Sequence, residues 1–174
     1  MTPLLPQLRR LLPALLAVCS LGLAAEPSRA VILVRHAERA GGMGPEVGLS
    51  EAGRCRAHLL AGMLADAGVK RIYTSEVART QETAEPLARK LGLRPEVVAA
   101  NDYDALLAKL RSGAPGGVAL VVGHSNTVPE IIKRLGGGTV PAIADSEYDR
   151  LFVVTITGEN QASVVTLRYS GCAR

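Results

Sequence analysis

"VILVRHAE", Val31 to Glu38, decides how this chain is read. Four apolar residues, three of them β-branched, make a continuous run of the kind covered on both faces in a parallel sheet. The run then meets Arg35, His36 and, one residue later, Glu38. A buried strand that ends on ionisable groups either leaves the core for solvent or carries a reacting site at its end.

Working outward, strands and helices alternate. The strand over 30–34 is followed by the glycine-rich "RAGGMGPEVG", after which Ser50 is a helix N-cap residue. Ala52, Cys55, Leu59 and Met63, with Leu60 and Leu64, predict an apolar stripe on a helix ending near Gly68. A second strand over 69–73 feeds a helix over about 77–91, stopped by Gly92, which Pro86 is expected to kink or divide. A short strand over 96–100 and a helix over about 104–110 come next, then "GVALVV", Gly117–Val122, another buried-type strand. Val128, Ile131, Ile132 and Leu135 recur at helical spacing from Asn126, and Gly136-Gly137-Gly138 ends that helix. Two final strands, 151–157 and 163–168, flank the turn "TGEN". The alternation predicts one α/β domain over 26–174, a mainly parallel sheet between helices with an antiparallel edge from the last pair.

Composition narrows the function. With 48% hydrophobic and 21% charged residues, the chain of 174 can bury a sizeable core. Aromatics are 3% with no Trp, which argues against stacking platforms for single-stranded nucleic acid. Arg9 and Arg10 precede an apolar run, Leu11–Ala25, that ends in small residues, the pattern of a signal peptide over 1–25 cleaved near Ala24 or Ala25. The run is short for a membrane span, so no stable span is expected in the mature form. A lipoprotein reading through Cys19 is weaker, because Val18 stands where a small residue is wanted. Without residues 1–25 the chain has 18 basic and 16 acidic residues, a net charge of +2 and no basic run suited to nucleic acid. The mature part is expected in the periplasm or outside the cell. It keeps Cys55 and Cys172, and the place of Cys55 on an apolar stripe favours a buried thiol over a disulfide.

In open α/β sheets, ligands gather at the carboxyl ends of the strands. There the sequence puts Arg35-His36, the segment from Ser75 to Arg79-Thr80, and His124-Ser125-Asn126-Thr127. Arginine offers a planar fork matched to phosphate oxygens, and a neutral imidazole is a competent nucleophile near neutral pH. Phosphoryl transfer needs mainly positioning and charge stabilisation, which two arginines and a second imidazole can supply without metal.

"LVRHAE", "LSEAGRCRA", "IYTSEVARTQETAEPLA" and "VVGHSNTVP", in that order, resemble the histidine phosphatase superfamily, its phosphoglycerate-mutase-like branch. The resemblance covers about 31–135. It implies a three-layer α/β/α sandwich and His36 as the nucleophile that becomes phosphohistidine, with Arg35, Arg79 and His124 completing a phosphate pocket. No cofactor and no metal are implied. The chain lacks the longer mutase pattern after Glu38 and the insertions that enclose phosphoglycerate, which favours a phosphatase. Some exported members of this kind act on phosphorylated envelope components and others resemble phosphohistidine phosphatases, so the resemblance implies as partner a small phosphorylated substrate or a phosphorylated envelope component. For the general acid the candidate is Asp102, with Asp104 and Glu38 behind it, while Glu38, Ser125 and Asn126 are also candidates for touching substrate.

Each residue has a structural alternative. Asp102 suits a helix N-cap, Glu38 can neutralise Arg35 or Arg39, and His58 belongs to the packing of its helix. A cation at position 79 opposes the dipole of its own helix, so an anionic neighbour is called for. Two other functions compete: a non-catalytic module of the cell envelope that binds phosphorylated ligands through Arg35 and Arg79, and a metallohydrolase using His36, Glu38 and His124. Two histidines exceed what binding needs, and adjacent arginines would repel a dication.

Overall fold

The computed structural model describes residues 29–113 and 116–172. The expected signal segment lies outside these residues. Six strands form one sheet: β1 (Arg29–Arg35), β2 (Val69–Thr74), β3 (Glu96–Val97), β4 (Val118–Gly123), β5 (Arg150–Gly158) and β6 (Gln161–Arg168), in the order β3-β2-β4-β1-β5-β6. The first four in that order pair in parallel, and β5 and β6 are antiparallel. Among the described residues there are also four helices, α1 (Glu51–Leu64), α2 (Ala78–Leu91), α3 (Tyr103–Arg111) and α4 (Thr127–Ile132), the last running into a π-type turn over Lys133–Gly137.

Period-two alternation in β1 divides the core. Val31 and Leu33 face one layer with Val121 and Phe152, beneath Leu106, Leu107 and Leu110 of α3 and Val128, Ile131 and Ile132 of α4. Ile32 and Val34 face the other, with Leu120 and Val122, against Leu60, Ala61 and Leu64 of α1 and Ala84, Leu87 and Ala88 of α2. The architecture is the three-layer α/β/α sandwich with a mainly parallel centre. Each of these large aliphatic side chains adds about 1.5–3 kcal/mol by leaving water, so the sheet holds its strand ends firmly.

Three local expectations change. Ser50 caps α1 as read, accepting from Gly53 N at 3.1 Å. The buried stripe of α1, however, is Gly53, Arg56, Ala57, Leu60, Ala61 and Leu64, one step round from the expected one. Cys55 therefore lies on an exposed flank, and the expectation of a buried thiol is corrected: Cys55 is disulfide-bonded to Cys172, which the tail after β6 brings alongside. Finally, α2 neither ends nor divides at Pro86, since Thr83, Ala84, Leu87 and Ala88 carry its packed stripe across the proline.

Candidate active site

Parallel pairing lines up three strand ends. In register Arg35 is opposite Gly123, and His36 N donates to the Gly123 carbonyl at 2.9 Å, so β1 and β4 deliver His36 and His124 side by side. The two imidazoles meet edge to face, with centroids 5.4 Å apart. β2 is followed beside them by Ser75, whose Oγ is 3.1 Å from His124 Nε2.

His36 is 4% exposed. Its Nδ1 lies 2.8 Å from the Ala37 carbonyl oxygen. A carbonyl only accepts, so Nδ1 carries the proton and Nε2 keeps its lone pair. Arg79, in the first turn of α2, donates from Nε to that lone pair at 3.1 Å. Burial pushes the His36 pKa down from 6.5 to about 4. The Ala37 carbonyl opposes this, and the nearby Arg35 and Arg79 cations and His124 add to it. Burial, with Arg79 next, also lowers His124. Both imidazoles are thus held toward the neutral form.

Arg35 has a second task. Its Nη1 donates to the carbonyls of Ala144, Asp145 and Glu147 at 2.8, 2.9 and 3.0 Å, and its guanidinium lies 4.2 Å from the centre of the Tyr148 ring. Arg150 gathers the same loop, donating to Pro141 O, Ala142 O and the Glu147 carboxylate. Glu147 accepts from Ala144 N, Arg168 and Arg150, which hold its carboxyl down at about 2.

Together these groups enclose a cleft of about 470 Å³. It is lined by Arg35, His36, Arg79, His124, Ser125 and Asn126, and also by Arg39, Val77, Asp145 and Tyr148. Six of the residues singled out in the sequence therefore share one cavity, and two do not. Glu38 turns away from it: its carboxylate takes Arg56 Nε at 2.9 Å and Nη2 at 2.6 Å, because a buried guanidinium on α1 requires a counter-charge. Asp102 is exposed and caps α3, accepting from Ala105 N at 3.1 Å, so the structure does not bring the expected acid into the cleft. Asp104 is exposed as well, 3.7 Å from Arg134. His58 is exposed on α1, off the buried face of that helix. Asp145 and Tyr148 had no motif to mark them. Their signal was topological, since an antiparallel β5 must be entered from the carboxyl edge of β1. Among the described residues, no three or more His, Cys, Asp or Glu are grouped to hold a metal ion. No described helix is long and apolar enough to cross a membrane.

A neutral imidazole with an unprotonated Nε2, set among three guanidinium groups at the carboxyl edge of a parallel sheet, is a site for an anionic electrophile. Residues 31–101 match the sequence profile of the histidine phosphatase superfamily (branch 1). The fold agrees. The structure of the protein histidine phosphatase SixA complexed with tungstate superposes with a TM-score of 0.66 at 20% identity, covering 80% of this chain and 96% of that one. Mycobacterial glucosyl-3-phosphoglycerate phosphatase with inorganic phosphate gives 0.63 at 16% identity, over 83% and 98%. No curated protein sequence matches the chain. The matched profile covers the first strand, the turn after it and the two helices that follow, and the fold over the rest of the described chain is the one these phosphatases share.

Proposed function

We propose that this chain is a metal-independent phosphatase that hydrolyses phosphomonoesters or phosphohistidine through a phosphohistidine intermediate on His36. The observation that carries the reading is the His36 imidazole itself, neutral by environment and with Nε2 turned into an arginine-lined cleft. The Nε2 lone pair attacks phosphorus, the N–P bond forms and the bond to the leaving group breaks, with its electron pair departing on oxygen or nitrogen. Arg79 shifts its N–H from Nε2 to a phosphoryl oxygen, and Arg35 Nη2, Arg39 and His124 meet the other oxygens. Water then displaces phosphate from His36 and restores the imidazole. With Asp102 occupied as a helix cap, substrates whose leaving groups need no protein acid suit the site best. Phosphohistidine and aryl phosphates are of that kind, and the fold neighbours named as SixA-type protein histidine phosphatases support the first of them.

Export belongs to the same proposal. The leader-like sequence over 1–25 and a disulfide in the folded domain both suit a periplasmic protein, with phosphorylated envelope components within reach. The test is phosphate release from an aryl phosphate by the mature protein. Activity should be lost in His36→Ala by at least about a thousandfold and unchanged by EDTA. Turnover surviving the substitution would contradict the reading.

A further inference from the structure

A neutral imidazole has one proton for two nitrogens, and His36 can attack through Nε2 only while that proton stays on Nδ1. The Ala37 carbonyl, 2.8 Å from Nδ1, is what keeps it there. Its direction is set by the peptide plane between residues 37 and 38, and the peptide planes on either side of it are both anchored. Ala37 N donates to Thr83 Oγ1 at 3.0 Å. The Glu38 carbonyl accepts from Ser50 N at 2.9 Å and Ser50 Oγ at 3.2 Å. Gly53 lets α1 press against this backbone, because a Cβ there would collide with the Glu38 carbonyl. The Glu38 side chain is drawn off to Arg56, whose guanidinium makes three contacts of 2.6–2.9 Å with the carboxylate.

Arg56 is itself held from outside. It is 8% exposed, its Nη1 donates to the Tyr169 carbonyl at 3.1 Å, and its guanidinium lies 5.5 Å from the centre of the buried Tyr169 ring. Tyr169 is the first residue beyond β6, and three residues further the tail is bonded through Cys172 to Cys55, the neighbour of Arg56. The tail thus packs on Arg56 and holds it against Glu38.

The geometry assigns Glu38 and Arg56, both outside the cleft, as positioning residues that hold the Ala37 carbonyl against His36 Nδ1, with the Cys55–Cys172 disulfide as the outer clamp. The inference rests on His36 being the reacting imidazole. It adds that the readiness of His36 depends on the redox state of a bond on the far side of α1. A dithiol such as dithiothreitol opens the clamp by thiol exchange, leaving as its own cyclic disulfide and giving two electrons and two protons to the cysteines.

The test is the tautomeric state of His36 in histidine-selective ¹⁵N-labelled mature protein, with signals assigned through His36→Gln and His124→Gln. In the oxidised protein His36 should show a protonated Nδ1 and a bare Nε2. In Glu38→Ala, in Arg56→Met and in the protein reduced by dithiothreitol, a mixture with Nε2–H should appear. Over the same set kcat should fall roughly 10- to 100-fold with KM little changed, and Glu38→Gln, which keeps an acceptor for Arg56, should recover most of the loss. Should a variant fail to fold, the reduced wild-type protein decides by itself. Loss of thermal stability with an unaltered His36 tautomer and unaltered kcat per folded molecule would overturn the inference. The tautomer needs no turnover to be read. Perturbed tautomers in a protein with no phosphatase activity would thus sink the proposed function and leave the positioning intact.

Discussion

At the scale of the residue, His36 sets the pH behaviour. Its folded pKa of about 4 lies below the 6.5 of a free imidazole, with burial as the main cause. Two consequences have the same sign. Attack needs the lone pair, so activity should persist to about pH 5 and fail only as the pH approaches 4. Stability should also fall as the pH drops from 6.5 toward 4, because in that window the unfolded chain binds a proton that folded His36 refuses. Glu147, held at about 2 by Ala144 N, Arg168 and Arg150, loses its contribution only at lower pH, between 4.5 and 2. Thermal melts of wild type and His36→Gln across pH 4 to 7 separate these effects: the variant should show a flatter dependence between 6.5 and 4. An identical slope in both would mean that His36 is not held neutral by the fold.

At the scale of the element, the site depends on how α1 meets the turn after β1. In an ordinary helix Gly→Ala gains about 1 kcal/mol from propensity. At Gly53 the added methyl would strike the Glu38 backbone, and such overpacking costs about 1–3 kcal/mol or more. The clash should win, so Gly53→Ala is expected to lower stability by about 1–2 kcal/mol in urea unfolding; a stabilised variant would show that α1 does not brace this turn. The elements themselves were largely legible in the sequence. Strand ends carrying Arg35, His36 and His124 announce themselves because the apolar run and the ionisable group are adjacent in the chain. The phase of α1 was not, since Cys55 and Met63 are apolar by type, yet the face is chosen by contact with α2 and the sheet. Asp145 and Tyr148 were hidden for a related reason: Arg35 and Arg150 place their loop through backbone carbonyls, which leave no trace in residue identity.

At the scale of the whole molecule, the disulfide joins points 117 residues apart. No local pattern encodes such a contact, which is why Cys55 read as a core thiol. Closing a loop of that length limits the unfolded chain enough to stabilise the fold by roughly 2–5 kcal/mol. Denaturant unfolding with and without dithiothreitol should show a loss in that range, and no difference would mean that the bond is not formed in solution. Glu38 and Asp102 teach the same lesson from the side of the site. Both carboxylates stand at sequence positions suited to chemistry, and both are taken by structural partners, Arg56 and the N-terminus of α3. Residue type and spacing located the cleft, whereas only three-dimensional partners separated the groups that face it from those that support it.

The proposed reaction stands or falls with a covalent phosphoryl group on His36. The most direct measurement is mass spectrometric mapping of the phosphorylated site after rapid alkaline quenching of the mature protein during turnover of an aryl phosphate, since phosphohistidine survives base and is lost in acid. A phosphoryl group on His36, absent from His36→Ala, is the expected result. A phosphoryl group on Ser75, Ser125 or any other residue, with His36 unmodified, would contradict it.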